Sequence, residues 1–212
     1  MNIKGIIFDL DGVIVFTDKF HYLAWKAVSD ELGIYFDEKI NNRLRGVSRM
    51  DSLNIILENG AREYSEDEKL QIAEKKNEIY KGYLSQMTPS DVSDEVRKTL
   101  IELKRRGYLL AIGSSSKNTK YILERVALSD FFDAISDGTN IKKSKPDPEV
   151  FLKAAEFINL PACECVVVED AFAGIDAAKS ADMTAVAIGD ATSYKKADIV
   201  LGSFSDLLKY FH

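Results

Sequence analysis

The run IIFDLDGVI, residues 6–14, constrains the fold more than any other stretch of the chain. It is too apolar to stand alone, and it ends in two acids, Asp9 and Asp11, released by Gly12. Side chains alternate across a strand, so carboxylates two residues apart point to one side. At the carboxyl end of a parallel strand they face the crevice where open α/β sheets bind ligands. Two acids held that close repel, and chemistry can exploit the repulsion. Hard carboxylate and carbonyl oxygens suit Mg²⁺, an Asp can be a covalent nucleophile, and a second carboxylate with a raised pKa can act as general acid and base. The spacing alone also permits an ordinary capped turn. A calcium loop begins with the same letters but needs an oxygen ligand at its fifth position and Gly at its sixth. Here Val13 is fifth and Gly12 fourth, so that reading fails.

After this strand the pattern turns helical. In HYLAWKAVSDELG, Ala24, Val28 and Leu32 share a stripe, Leu23 and Trp25 lie beside it, and Gly33 supplies a stop. A second helix is expected over residues 51–58. Ser65 and Glu68 form a capping box before a third, along which Leu70, Ala73, Asn77, Tyr80 and Leu84 recur at three- and four-residue steps. Residues 17–88 thus read as a helical unit without a strand, ended by Thr88, Pro89 and Ser90. Beyond it strands and helices alternate, the signature of a parallel sheet covered on both faces. The strands are YLLAIG, FFDAIS, CVVVED, TAVAIG and ADIVL. Helices are expected around Val96, Leu100 and Leu103, over residues 119–128, behind Pro148 with Phe151, Leu152 and Ala155 buried, over residues 175–181, and from Ser205. The first strand needs this later sheet for partners. The expected architecture is therefore α/β, a doubly wound parallel sheet of residues 1–16 and 89–212 carrying an inserted helical cap, residues 17–88.

A chain of 212 residues can bury a substantial core. A net charge of −6 argues against a nucleic-acid footprint, which is usually basic, while leaving room for a local phosphate pocket. No apolar run approaches the length of a membrane span and no signal-peptide core precedes the first strand, so the expectation is a cytoplasmic enzyme. The only cysteines, Cys163 and Cys165, are too few for a four-ligand zinc site and poorly spaced for a disulfide, and read as packing residues.

Three further segments end in chemistry. Glu169 and Asp170 close the run VVVED, a second carboxylate pair at a strand's carboxyl end. Ser114, Ser115, Ser116, Lys117 and Asn118 follow YLLAIG, offering hydroxyls, backbone N–H groups and an ammonium where a helix starts, a combination suited to phosphate. Lys145 sits in SKPDP, where two prolines stiffen the chain. Each has a plain reading when taken alone: a turn, a surface charge.

Together the four segments, in the order DxDG, strand-terminal Ser, Lys, ED, resemble the haloacid dehalogenase superfamily of phosphoryl-transfer enzymes. The resemblance implies that Asp9 attacks phosphorus to give an aspartyl phosphate and that Asp11 is the general acid and base. It implies that Ser114 and Lys145 bind the transferring phosphoryl. Mg²⁺ would be held by Asp9, the backbone carbonyl of Asp11 and Asp170, with Glu169 beside or within the shell. Catalysis of this step is mostly positioning and charge neutralisation, which a metal and a fixed lysine supply.

HYLAW, RGVSRMDSL, KKN and SSSKN are further similar to the β-phosphoglucomutase family. That resemblance implies a small-molecule sugar phosphate as the partner, held by His21, Trp25, Gly46, Val47, Ser48, Arg49, Ser52, Ser115, Ser116, Lys117 and Asn118, with Thr17 and Lys76 nearby. It implies interconversion of β-glucose 1-phosphate and β-glucose 6-phosphate, with β-glucose 1,6-bisphosphate as activating intermediate, by a monomer. A sugar-phosphate or phosphoglycolate phosphatase would share the core and differ in letting water attack the aspartyl phosphate. A non-enzymatic phospho-ligand sensor would be expected to lack Asp9. Without the resemblance, His21 and Trp25 read as cap packing, Arg49 as surface charge and Lys76 as part of an exposed helix face. One position departs from the family pattern: Phe16 stands in the hinge where many relatives carry Asp.

Overall fold

In the computed structural model, which describes residues 2–44 and 47–212, the opening apolar run lies at the centre of a sheet. The strands are β1 (Gly5–Phe8), β2 (Leu109–Gly113), β3 (Ala134–Ser136), β4 (Cys165–Glu169), β5 (Thr184–Ala187) and β6 (Ile199–Val200). They pair in parallel in the order β3-β2-β1-β4-β5-β6. The chain runs outward from β1 through β2 to β3, then returns to β1's other side and runs outward again from β4. The direction of winding therefore reverses beside β1, and a crevice opens at the strands' carboxyl ends there.

Helices cover the sheet because alternate strand residues face opposite layers. Ile6, Phe8, Ile112, Val166 and Val168 pack on one side with buried residues of α5 (Asp94–Arg105), α6 (Thr119–Arg125) and α9 (Leu207–Tyr210). Ile7, Ala111, Val167 and Ala185 pack on the other with α7 (Glu149–Phe157) and α8 (Phe172–Ser180). Between β1 and β2 come α1 (Asp18–Glu31), α2 (Glu38–Asn42), α3 (Arg49–Leu57) and α4 (Glu66–Leu84), which enclose a separate apolar cluster of Trp25, Ile34, Phe36, Leu44, Leu53, Ile56 and Ala73. Truncating Leu53, which is fully buried there, would cost about 2–5 kcal/mol.

Local chemistry sets the boundaries. The Ser65–Glu68 capping box forms with both of its hydrogen bonds, and Gly33 ends the α1 segment at φ +68°, a conformation in which a side chain is strained. The five-residue α2, capped by Asp37, is too short to leave a periodic signal and was not expected. Other departures are matters of register. Leu152 is 43% exposed, because α7 buries Val150, Phe151, Ala154 and Ala155. Leu70 is 57% exposed, since the first turn of α4 stands at the rim of the cleft. Cys165 packs in the core but Cys163 is exposed. The last helix is introduced by a short 3-10 turn capped by Ser203 and Asp206, not by Ser205.

Candidate active site

Beyond β1 the chain turns sharply, with Gly12 N–H donating to Val15 C=O at 2.7 Å. Gly12 has φ +87°, and a Cβ there would stand 2.1 Å from Asp170 Oδ2. Only glycine lets the DxDG turn approach the end of β4 so closely. On that turn and strand end Asp9, Glu169 and Asp170 converge, each offering a carboxylate oxygen within 4.8 Å of the others. Lys145 Nζ joins them, donating to Asp9 Oδ1 at 2.6 Å and to Glu169 Oε2 at 2.7 Å, with both pairs buried. The other Glu169 oxygen accepts the backbone N–H groups of Asp170 at 3.1 Å and Ala171 at 3.0 Å. Glu169 is thus tied on every side, and through it Lys145 is fixed.

Three acids around one ammonium leave a deficit of positive charge. Burial, then Glu169, pushes Asp9 up to about 7, and burial, then Glu169 and Asp9, pushes Asp170 up to about 9. Burial works against the Lys145 charge, but Asp9 and Glu169 outweigh it, so its pKa is raised.

Asp11 points elsewhere. The Thr17 hydroxyl donates to Asp11 Oδ1, and the Tyr80 hydroxyl lies 2.9 Å from Thr17 Oγ1; with the Thr17 proton committed to Asp11, Tyr80 is the donor. Burial raises Asp11 to about 6, and the Thr17 hydrogen bond restrains the rise. Above this group Lys76 Nζ stands 2.9 Å from His21 Nδ1, and 4.9 Å and 4.5 Å from the ring centres of Trp25 and Tyr80. Burial, then Lys76 and Arg49, holds His21 well below its usual pKa, so the ring beside Lys76 is neutral.

The loop after β2 meets α3 and α4 along the same cleft. Ser116 N–H donates to Ser114 Oγ and Asn118 N–H to Ser116 Oγ, each at 3.2 Å. Arg49 Nη2 and Asn118 Nδ2 both donate to Asn77 Oδ1, at 2.9 Å and 3.0 Å. One cavity of about 420 Å³ spans all three groups, within the usual range for a small-molecule site.

The haloacid dehalogenase-like hydrolase family model matches residues 3–182. The β-phosphoglucomutase of Bacillus subtilis is 42% identical over 206 residues, 96% of this chain and 91% of that protein. The chain belongs to the β-phosphoglucomutase family of haloacid dehalogenase-like proteins. A crystal structure of the β-phosphoglucomutase from Clostridium difficile matches with a TM-score of 0.92 and 40% identity, over 98% of this chain and 95% of that one. A phosphorylated carbohydrates phosphatase of Thermotoga maritima is 30% identical over 84% of this chain and 81% of its own.

Of the residues that the β-phosphoglucomutase resemblance singled out, the structure gathers nearly all around this cavity. Asp9, Asp11, Ser114, Lys145, Glu169 and Asp170 line its floor; His21, Trp25, Val47, Ser48, Arg49, Ser52, Lys76, Ser115, Ser116, Lys117 and Asn118 line the rest. Three cases differ. Thr17 is fully buried behind Asp11 and does not line the cavity. Ser48 reaches it, but its hydroxyl is engaged as the cap of α3, accepting from Asp51 N–H at 3.1 Å and donating to Asp51 Oδ2 at 2.6 Å. Gly46 lies outside the described residues. Lys76 is 3% exposed, not part of a solvated face, and Phe16 is 71% exposed. Tyr80 was read as packing, and Asn77, although part of the KKN segment, was given no role; both line the cavity, and the signal was a Tyr and an Asn within an otherwise apolar helical stripe.

The acidic floor of this haloacid dehalogenase-like site fits a hard divalent cation. Its donors are all oxygen, as Mg²⁺ prefers, and its raised carboxylate pKa values mark a shortage of positive charge that such an ion would relieve.

Proposed function

We propose that this protein interconverts β-glucose 1-phosphate and β-glucose 6-phosphate, with β-glucose 1,6-bisphosphate as activating intermediate. In this reading Asp9 attacks phosphorus, the bond to the sugar oxygen breaks, and Asp11, held by Thr17, gives that oxygen its proton. In the return step Asp11 takes a proton from the attacking sugar hydroxyl, which removes the phosphoryl from Asp9. Ser114 and Lys145 hold the transferring group. Asp9, Asp170 and the backbone carbonyl of Asp11, with Glu169 alongside, would hold Mg²⁺, which would supply neutralising charge to the phosphoryl. Residues 17–88 serve as the cap that closes over the sugar and excludes water.

One observation carries the proposal. Besides the Asp9–Lys145 pole, the same cavity offers a second pole suited to phosphate, lined by Arg49, Lys117 and Asn118. A bisphosphate needs both poles; hydrolysis of a monophosphate needs one. The test mixes the protein with β-glucose 1-phosphate, a trace of the bisphosphate and Mg²⁺, followed by ³¹P NMR. Accumulation of glucose 6-phosphate without free phosphate is expected. Free phosphate without isomerisation would transfer the assignment to a sugar-phosphate phosphatase.

A further inference from the structure

Asn77 has no part in the chemistry, yet its side-chain oxygen is where two sides of the cleft meet. Arg49 Nη2 reaches it from the start of α3 and Asn118 Nδ2 from the loop after β2, while Asn77 itself sits within α4 and is 6% exposed. We infer that Asn77 is a positioning residue for the distal phosphate, a neutral latch that draws the Arg49 guanidinium and the Asn118 amide together when the helical segment meets the sheet. The inference rests on the mutase reading and deepens it, because those two donors belong to the pole assigned to the second phosphate.

The donor inventory allows Asn77 and a phosphate to be held at once. A guanidinium has five N–H bonds in a rigid fork and a carboxamide has two. Asn77 Oδ1 takes one from each, and both side chains line the cavity with N–H bonds to spare. Without this acceptor, Arg49 keeps among the described residues a 3.7 Å approach to the largely exposed Glu74, too loose to fix a long side chain. The choice of an amide also has a reason. Aspartate has the same shape and could accept both bonds, but would set a negative charge beside an incoming phosphate. Leucine has similar bulk and accepts nothing.

These two substitutions give the test. Asn77→Leu and Asn77→Asp, checked for folding by thermal melting, are compared with wild type in mutase kinetics and in backbone hydrogen exchange over residues 114–119. Both variants should raise KM for β-glucose 1-phosphate by about tenfold or more and lower kcat less. Their exchange should differ: Leu should speed exchange in the loop, whereas Asp, which keeps both hydrogen bonds, should leave it as in wild type. Unchanged KM in both variants, or equal losses of kcat with identical exchange as a packing role requires, would overturn the inference. The exchange measurement needs no turnover, so failure of the wild type to convert the sugar phosphate would overturn the mutase reading while the contrast between Leu and Asp still decides the latch.

Discussion

Replacing Lys76 by Met should make the protein more stable near neutral pH while impairing it as an enzyme. An unfolded lysine has a pKa of about 10.4; burial, then the Arg49 charge, lowers Lys76 to about 7, with Asp11 pulling the other way. A gap of roughly three units corresponds to about 4 kcal/mol against the buried cation. The Trp25 and Tyr80 rings return about 0.5–2 kcal/mol each, leaving a net penalty of about 2 kcal/mol. Between about pH 7 and pH 10 the unfolded chain keeps a proton on this amine that the folded chain has lost, so wild-type stability rises with pH across that window. The Met variant lacks that rise. Its advantage should be greatest at about pH 6.5, roughly 5 °C in Tm for a chain of this size, and should shrink steadily by about pH 9.5. Met also leaves His21 Nδ1 without its partner, but His21 stays neutral throughout, so this shifts the whole curve without altering its slope. Paired thermal melts at a series of pH values provide the assay. A difference that does not change with pH would refute the charge penalty, and a variant less stable at every pH would show that the ring and His21 contacts dominate.

Asp9→Asn should abolish phosphorylation of the protein by acetyl phosphate, read by intact-protein mass, because an amide is too poor a nucleophile to form the acyl phosphate; retained labelling would remove Asp9 from its role. Gly12→Ala should raise the Mg²⁺ concentration needed for half-maximal activity and cost about 1–3 kcal/mol of stability, since the new methyl falls on Asp170 at a φ that L-residues avoid; a wild-type Mg²⁺ titration would contradict the close approach. Arg49→Ala should slow hexose-phosphate conversion by roughly 30- to 1,000-fold while changing acetyl phosphate turnover little, because that small donor carries no second phosphate; equal losses in both reactions would make Arg49 a general support for closure.

The fold class was legible because the strands are apolar runs and four of them, β1 to β4, end in or run directly into polar residues. β1 and β4 each announce themselves by hydrophobic letters followed by a carboxylate pair, and those ends lie side by side in the sheet. What could not be read was depth within helices. Lys76 lies in a stretch of charges and amides whose ordinary fate is solvent; it is buried because the faces of α1 and α4 that meet carry His21, Trp25 and Tyr80. The error at Leu152 has a similar origin, since Val150 and Leu152 lie two positions and about 200° apart round the helix, and the packing of α7 turns Val150, not Leu152, to the sheet. Asn77 was visible as an interruption of an apolar stripe and as part of KKN; that its oxygen would be shared between two distant donors is a fact of tertiary packing alone.

The central place of β1 governs how the protein is made as well as how it works. Gly5 pairs with Leu109 on one side and with Cys165 on the other, so the first strand to be synthesised has no neighbour until half the chain has followed, and no second neighbour until more than three quarters has. The helices between can assemble from nearby contacts meanwhile. Pairing over such sequence distances is slow, and an apolar strand waiting for its partners invites aggregation. Asp9 and Lys145, 136 residues apart in sequence, become neighbours only at the end of that process. A nascent chain released before β4 therefore carries Asp9 on a sticky strand with at most one neighbour and with neither Glu169 nor Asp170 beside it. Heterologous production should depend more on the rate of synthesis and on chaperones than the stability of the finished fold would suggest.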